Sequence, residues 1–343
     1  NKIAETKRIL SDTKLDINEE NFSSFIIGTA IKSGDIEICI RQYLLLRVGA
    51  VGLNKALLTG ISKKNKKIIY YIPKQWRKIL TENEFKVADV RSEILWNCYL
   101  FALVLYGFTK LTTILLRGLS NTIRKRKKIE PYVYFINLSK GNIPKVKLNR
   151  QSYDVISWYI NYKKNSKFKE IKHGVLESEK TIINNINVIA EDSGPIPDLF
   201  GWRNIFIFLT WGLISSILSI IDLCRGRWWH ALILNQAILN KQVELTEPKN
   251  LAKEYLFHNT NQTYRPLWTY TAEQFGSLII LYFYSTNVEN LTRSPTYFWR
   301  CMSWPRYLVW DRAQADFLKI CVSNDVMIEI VGSEDQAHHL IGE

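Results

Sequence analysis

The chain has 343 residues, with 46 Lys plus Arg against 32 Asp plus Glu and a net charge of +14. This length allows two ordinary domains or one large α/β domain with insertions, and the charge favours an anionic partner such as nucleic acid, acidic phospholipid or a phosphorylated small molecule. The sequence has no GxGxxG, GxxxxGK[ST], GxSxG or HExxH motif, which argues against an NTPase and a nicotinamide-dependent dehydrogenase. Its five cysteines form no CxxC pair, which indicates a reducing compartment without structural zinc, and Cys98 and Cys224 lie in apolar runs that predict burial.

The first part of the chain predicts a loose tail followed by alternating helices and strands. Residues 1–20 are polar and lack the apolar core of a signal peptide, so we expect a protein that is not secreted. A helix is predicted up to Gly60, a strand over 68–73, a helix from Lys74 and a second strand over 85–90. This alternation predicts a parallel sheet with helices on both faces, in an α/β domain that spans residues 21–332.

Two segments, 94–116 and 205–223, are more apolar than a soluble domain requires. Buried core helices are one explanation, and full membrane spans are another. Basic and Trp-rich flanks, RKRKK at 124–128 and RGRWWH at 225–230, favour a third, in which both helices lie in the interface of an anionic leaflet. We therefore expect monotopic or peripheral attachment at the cytoplasmic face of the cell membrane.

The remaining elements follow in βαβ order. Residues 132–138 and 153–162 each read as a strand, and 163–172 read as a solvated basic loop with no nucleic-acid motif, so we expect no nucleic-acid partner. Apolar spacing predicts a helix over 228–245. Strands are then predicted at EYLF, LIILYFY, YLVWD and VMIEIVG, with helices between them.

Polar side chains follow these last strands, and loops at the carboxyl ends of parallel strands meet in one crevice. We expect a base among Glu289, His258 and Asp311, and substrate binding by Asn259, Arg265, Trp268, Tyr270, Ser285 and Asn287. In this interpretation Arg265 holds a phosphate and Trp268 stacks on a sugar. Structural alternatives exist: His258 bonds a backbone group, Arg265 forms a salt bridge at a helix end, and Asp311 caps the following helix. No cluster predicts a metal site.

The run YLFHNTNQTYRPLWTYTAEQFGSLIILYFYSTNVEN, with WPRYLVWDRAQADFLK and IEIVG after it, resembles bacterial surface-polysaccharide biosynthesis proteins similar to the acceptor-side half of GT-B glycosyltransferases. The resemblance implies a Rossmann-like sheet, a nucleotide-sugar donor, a glycan or lipid-linked acceptor and no obligatory metal. It also implies a second, donor-binding domain, and because only the short tail 333–343 follows, we expect that this domain is missing, that it is another polypeptide, or that the fold only imitates the acceptor-side half. The implied activity is sugar transfer. The alternative is a non-catalytic, membrane-associated glycan-binding or scaffold protein.

Overall fold

The computed structural model describes residues 2–13, 15, 24–49, 51–62, 67–124, 129–144, 154–163, 168–175, 180–258, 264–283, 302–322 and 325–332. Within them the chain is an α/β protein with eleven α-helices and eight strands. The helices are α1 Lys2–Asp12, α2 Ser24–Ile27, α3 Ser33–Leu44, α4 Val51–Ser62, α5 Lys74–Glu82, α6 Asp89–Ile123, α7 Val155–Tyr162, α8 Trp202–Cys224, α9 Trp229–Glu244, α10 Trp268–Gln274 and α11 Arg312–Cys321. The strands are β1 Tyr132–Ile136, β2 Glu170–His173, β3 Thr181–Ile183, β4 Ile186–Ala190, β5 Glu254–His258, β6 Leu278–Phe283, β7 Arg306–Val309 and β8 Met327–Ile330.

All eight strands form one sheet in the order β3-β4-β2-β1-β5-β6-β7-β8. Every neighbouring pair is parallel except β3 and β4, which are antiparallel. The register places Tyr134 of β1 between Lys172 of β2 and Tyr255 of β5. The predicted α/β fold with a mostly parallel sheet is therefore confirmed.

Helices cover both faces of this sheet, which explains why its central strands are apolar along their whole length. On one face, Val155, Ile156 and Tyr159 of α7 pack against Val133 and Leu256. The opposite face carries Tyr255, Phe257 and Leu281, and it is covered by side chains of α9, α10 and α11. Alternate residues of β5 thus point into two separate hydrophobic cores.

A second group of helices packs beside the sheet: α1–α6 precede its first strand in sequence, and α8 and α9 follow β4. The helices α6, α8 and α9 contact one another, and α1–α5 share their hydrophobic core. Small residues allow close approach: a Cβ at Gly107 would lie 3.2 Å from the Leu234 side chain, and one at Gly118 would lie 3.1 Å from Cβ of Leu199. The contact of Gly118, together with the hydrogen bond from the Gly201 amide to Thr122 Oγ1, brings the carboxyl end of α6 beside the start of α8.

The two predicted apolar helices are present as α6 and α8, and both are long. Within the described part of the chain, these two helices are long and apolar enough to cross a membrane by length and composition. Each is buried on one side only, since 33% of an apolar 18-residue stretch of α6 and 39% of one of α8 lie inside the protein. The outward side is apolar and exposes, among others, Phe101, Leu105, Leu116, Phe206, Ile214 and Ile217.

Several local predictions were wrong. Residues 155–162 form a helix instead of a strand, because the Asp154 carboxylate accepts the Ser157 amide as an N-cap and the apolar side chains then line one helical face. Residues 68–73 and 85–90 contribute a single bridge, Ile68 to Val87, and no strand of the sheet. Cys98 and Cys224 are exposed because they lie on the outward sides of α6 and α8.

Candidate functional site at the carboxyl edge of the sheet

The strand order reverses between β1 and β5. From β1 the chain builds outward through β2 and β4, and it then returns to β5 and builds in the opposite direction through β6, β7 and β8. In open α/β sheets, such a switch leaves a crevice outside the carboxyl ends of the two central strands, where ligands bind. His258 is the last residue of β5, and Asn137 directly follows β1 with a left-handed φ of 65°. Both residues therefore stand at the switch point.

His258 is 3% exposed and lies on the α7 side of the sheet. Its ring centroid is 5.8 Å from that of Tyr282, its partner on β6. Burial lowers the pKa of His258 to about 4, because the protein interior disfavours the charged imidazolium. The imidazole is therefore neutral near pH 7, the form that can accept a proton or a hydrogen bond.

A connected set of side chains links His258 with Asp311 along this edge. The Tyr282 hydroxyl accepts a hydrogen bond from Trp310 Nε1 at 3.0 Å, and the Trp310 amide donates to Gln314 Oε1 at 2.8 Å. The Asp311 carboxylate accepts the Gln314 amide at 2.8 Å and caps α11. His258 and Asp311 thus share one edge of the sheet, across the three neighbouring strands β5, β6 and β7. Asp311 also serves as the N-cap of α11.

Arg265, Trp268 and Tyr270 lie at the start of α10, and all three make contacts within the protein. The Arg265 guanidinium forms an ion pair with Glu273, donates from Nε to Thr269 Oγ1 at 3.1 Å and stands 3.8 Å from the centroid of the Tyr270 ring. Trp268 is 3% exposed and packs edge-on to Tyr255 at 4.9 Å. Their roles in substrate binding stay predictions, as do those of His258 and Asp311.

The other four predicted site residues, Asn259, Ser285, Asn287 and Glu289, lie outside the described residues. The described chain adds contacts that the sequence did not predict. From α3, Gln42 accepts the Arg265 amide at 3.3 Å and donates to Ser303 Oγ at 2.8 Å, so a helix from the first third of the chain closes over the segments after β5 and before β7.

His173 is a further residue at this edge that the sequence interpretation missed. It ends β2, it is fully buried, and burial lowers its pKa. Its Nδ1 accepts the Val175 amide at 3.3 Å, which leaves Nε2 as the protonated nitrogen of the neutral ring. The sequence signal was the alternation of charged residues with Phe168, Ile171 and His173 in FKEIKHG. It was missed because the surrounding lysines are typical of a basic loop.

The fold defines the class: a doubly wound α/β protein, a class in which ligands bind outside the carboxyl ends of the strands at the topological switch point. Among the described residues, no three His, Cys, Asp or Glu side chains are grouped so that they could hold a metal ion. The comparison with protein families then gives one match, in which residues 206–333 fit the model of the polysaccharide biosynthesis PFTS motif proteins. No curated protein and no solved structure matches the chain.

The matched segment begins within α8, and it contains α9, β5, α10, β6, β7, α11 and β8. It therefore includes His258 and the whole half of the sheet on that side of the switch point. The match supports a polysaccharide biosynthesis protein, which is the coarser part of the resemblance found in the sequence. The similarity to GT-B glycosyltransferases stays a prediction.

Proposed function

We propose that this protein is a membrane-surface glycosyltransferase of polysaccharide biosynthesis, whose acceptor binds in the crevice between the carboxyl ends of β1 and β5. One observation carries the proposal: the segment similar to polysaccharide biosynthesis proteins, 206–333, supplies the half of the switch point that ends in His258. Ligands of open α/β sheets bind at such positions, and a sugar acceptor is the ligand that this family match favours.

The proposed chemistry is transfer of a sugar from an activated donor to an acceptor hydroxyl. The acceptor oxygen attacks the anomeric carbon, the bond to the donor phosphate breaks, and a base takes the hydroxyl proton. His258 is the proposed base: its imidazole is neutral near pH 7, and because burial disfavours the imidazolium, a bound ligand would have to stabilise the protonated ring. A nucleotide-sugar donor is what the resemblance to GT-B glycosyltransferases implies. In this proposal a separate domain or chain binds the donor.

The proposed location is the cytoplasmic face of the membrane, with α6 and α8 lying in the lipid interface. Their outward sides expose many large apolar side chains, and water-soluble proteins rarely expose large apolar patches. The inward sides pack against α9 and the helices α1–α5, so lipid would contact one side of each helix only. The RKRKK run that begins at Arg124 supplies positive charge for an anionic leaflet.

The test is complementation of a source strain from which the gene has been deleted. Surface polysaccharide is measured in cells that express the wild-type chain, His258→Gln or His230→Gln, with each protein quantified by immunoblot. His230 is a matched control, because it is fully buried but lies on α9, where it contacts Asp222 at 2.7 Å. We expect the wild type and His230→Gln to restore the polysaccharide and His258→Gln to lose most of it.

Full restoration by His258→Gln would contradict a role for this residue and favour the non-catalytic scaffold. An unchanged polysaccharide in the deletion strain would contradict the proposed function as a whole. A second measurement follows transfer directly: membranes that contain each variant are incubated with a panel of radiolabelled nucleotide sugars, and label that enters the lipid fraction is counted.

A further inference from the structure

A cavity lies on the face of the sheet opposite to His258. Its volume is about 440 Å³, and its lining comes from the carboxyl end of α6, the loop between β4 and α8, and the side chains of Tyr132 on β1 and Lys172 on β2. Six of its lining residues carry the argument: Asn121, Arg124, Tyr132, Lys172, Glu191 and Asp198. Small-molecule sites typically have volumes of about 300 to 1,000 Å³, so the cavity has the size of a ligand site.

The polar groups of this cavity alternate between donors and acceptors. Lys172 Nζ lies 3.1 Å from a Glu191 carboxylate oxygen and 4.5 Å from the centroid of the Tyr132 ring. Asn121 Nδ2 donates to Asp198 Oδ2 at 2.9 Å. Sugar hydroxyls both donate and accept hydrogen bonds, whereas sugar ring carbons pack on aromatic faces. Two carboxylates, an amide and an ammonium therefore match a saccharide better than they match a bare phosphate.

The electrostatics of the cavity agree with a neutral ligand. Two cationic residues, Arg124 and Lys172, face two carboxyl groups, so no single charge dominates the lining. Burial raises the pKa of Asp198, because the half-enclosed carboxylate loses hydration and the neighbouring acidic side chains add repulsion. A ligand hydroxyl that donates to this carboxylate would replace the lost hydration.

The cavity lies beside the carboxyl end of α6 and the start of α8. Ile123, the last residue of α6, is 71% exposed, and Trp202, the first residue of α8, is 63% exposed. Phe200 belongs to the cavity lining itself and is 37% exposed. Exposed apolar side chains thus lie near the polar lining of the cavity, which suits a ligand with a polar head and an apolar chain.

We propose that this cavity binds the saccharide head of a lipid-linked glycan, whose lipid chain lies along the exposed sides of α6 and α8. Glu191 and Asp198 accept hydrogen bonds from its hydroxyls, and Lys172 donates to its oxygens. This inference rests on the proposed function, because it names a lipid-linked glycan as a second ligand of the protein, bound in a cavity separate from the acceptor crevice at His258.

The experiment measures binding by the full chain reconstituted in nanodiscs. One probe is the lipid-linked saccharide fraction extracted from source cells grown on ¹⁴C-glucose, and the second probe is the water-soluble saccharide released from that fraction by mild acid. The variants are Glu191→Gln and Asp198→Asn, and thermal unfolding confirms that each remains folded. Glu130→Gln is the matched control, since Glu130 forms a 3.8 Å pair with Lys169 outside the cavity lining.

We expect the wild type and Glu130→Gln to retain equal amounts of lipid-linked label, and each cavity variant to retain about tenfold less, the effect of losing one charge-assisted hydrogen bond. If the wild type retains as much of the released saccharide as of the lipid-linked fraction, the cavity binds a saccharide without its lipid. That result would overturn the proposal of a lipid-linked ligand. Equal retention by all variants, or none by the wild type, would overturn the inference. The complementation experiment is independent of this outcome, so the two proposals fail separately.

Discussion

The indole Nε1–H of Trp310 donates a hydrogen bond to the hydroxyl of Tyr282 at 3.0 Å. This bond joins the carboxyl end of β6 to the residue that follows β7. The Tyr282 ring is also stacked on Trp158 of α7, with 4.6 Å between the ring centroids. Tyr282 therefore connects the helix on one face of the sheet with the edge at which His258 lies.

The first prediction concerns this bond. Trp310→Phe and Tyr282→Phe each remove it while keeping an aromatic ring, so each should lower the free energy of unfolding by about 1 kcal/mol. In the double variant the loss should be smaller than the sum, because the bond is lost only once. Urea unfolding of the four proteins measures the coupling. Trp202→Phe, at a 63% exposed position, should show no measurable loss. Strictly additive effects would contradict the bond.

The second prediction concerns the pH dependence that His258 creates. Burial lowers its pKa from 6.5 to about 4, so below pH 6.5 the unfolded chain binds a proton that the folded chain does not. The free energy of unfolding should therefore fall as the pH decreases from 7 to 4, and His258 should contribute up to about 3 kcal/mol of that fall.

Urea unfolding of the wild type and His258→Gln at pH 7, 5.5 and 4 measures this contribution. The variant should retain a shallower dependence on pH, because His173 is also buried with a lowered pKa. Identical pH profiles for the two proteins would show that His258 is not buried as described.

The third prediction concerns Arg265. Its guanidinium side chain is 6% exposed and pairs with Glu273, which is 43% exposed. Arg265→Ala should lower the free energy of unfolding by roughly 1 to 3 kcal/mol, because Glu273 and Thr269 lose a buried charged donor. Arg312→Ala is the control, since Arg312 is 88% exposed and lies 3.9 Å from Asp316 on the surface of α11. If Arg265→Ala leaves the free energy of unfolding unchanged, the contacts with Glu273 and Thr269 do not stabilise the fold, and this prediction is contradicted.

The fourth prediction concerns the apolar side of α8. Ile214 and Ile217 are 47% and 57% exposed, so their replacement by Asp should leave the fold intact and weaken attachment to lipid. Flotation with vesicles of phosphatidylglycerol and phosphatidylethanolamine measures the bound fraction, which should drop at least tenfold in the double variant. Ile320→Asp, at a 69% exposed apolar position on α11, should float like the wild type. Equal flotation of all three proteins would contradict attachment through α8.

Much of the second half of the chain was predictable. Strands β5, β6, β7 and β8 lie where apolar runs end in polar residues, and α9 and α11 follow the helical spacing of their apolar residues. These elements are local in origin, since each is set by a run of side chains that neighbours in sequence can specify. The same logic placed the apolar helices α6 and α8.

The predictions that were wrong involve competition between local and distant contacts. Residues 155–162 carry β-branched and aromatic side chains, but the Asp154 cap and a sheet face that needs covering favour the helix α7. The strand β2 escaped notice because charged residues alternate with its buried positions, and the pairing that defines it comes from β1 and β4. Strand pairing depends on partners distant in sequence, so propensity alone does not reveal it.

The sequence by itself determined the α/β class, the apolar character of α6 and α8 and the presence of His258 and Asp311 at strand ends. Only the tertiary structure decided which strand ends are neighbours, because the switch between β1 and β5 follows from the order in which distant strands pair. It also decided that Arg265 faces Glu273 and that Glu191 and Asp198 line one cavity with Lys172. Elements that lie far apart in the chain pack together and bring these side chains into one site. Local sequence patterns do not specify that packing.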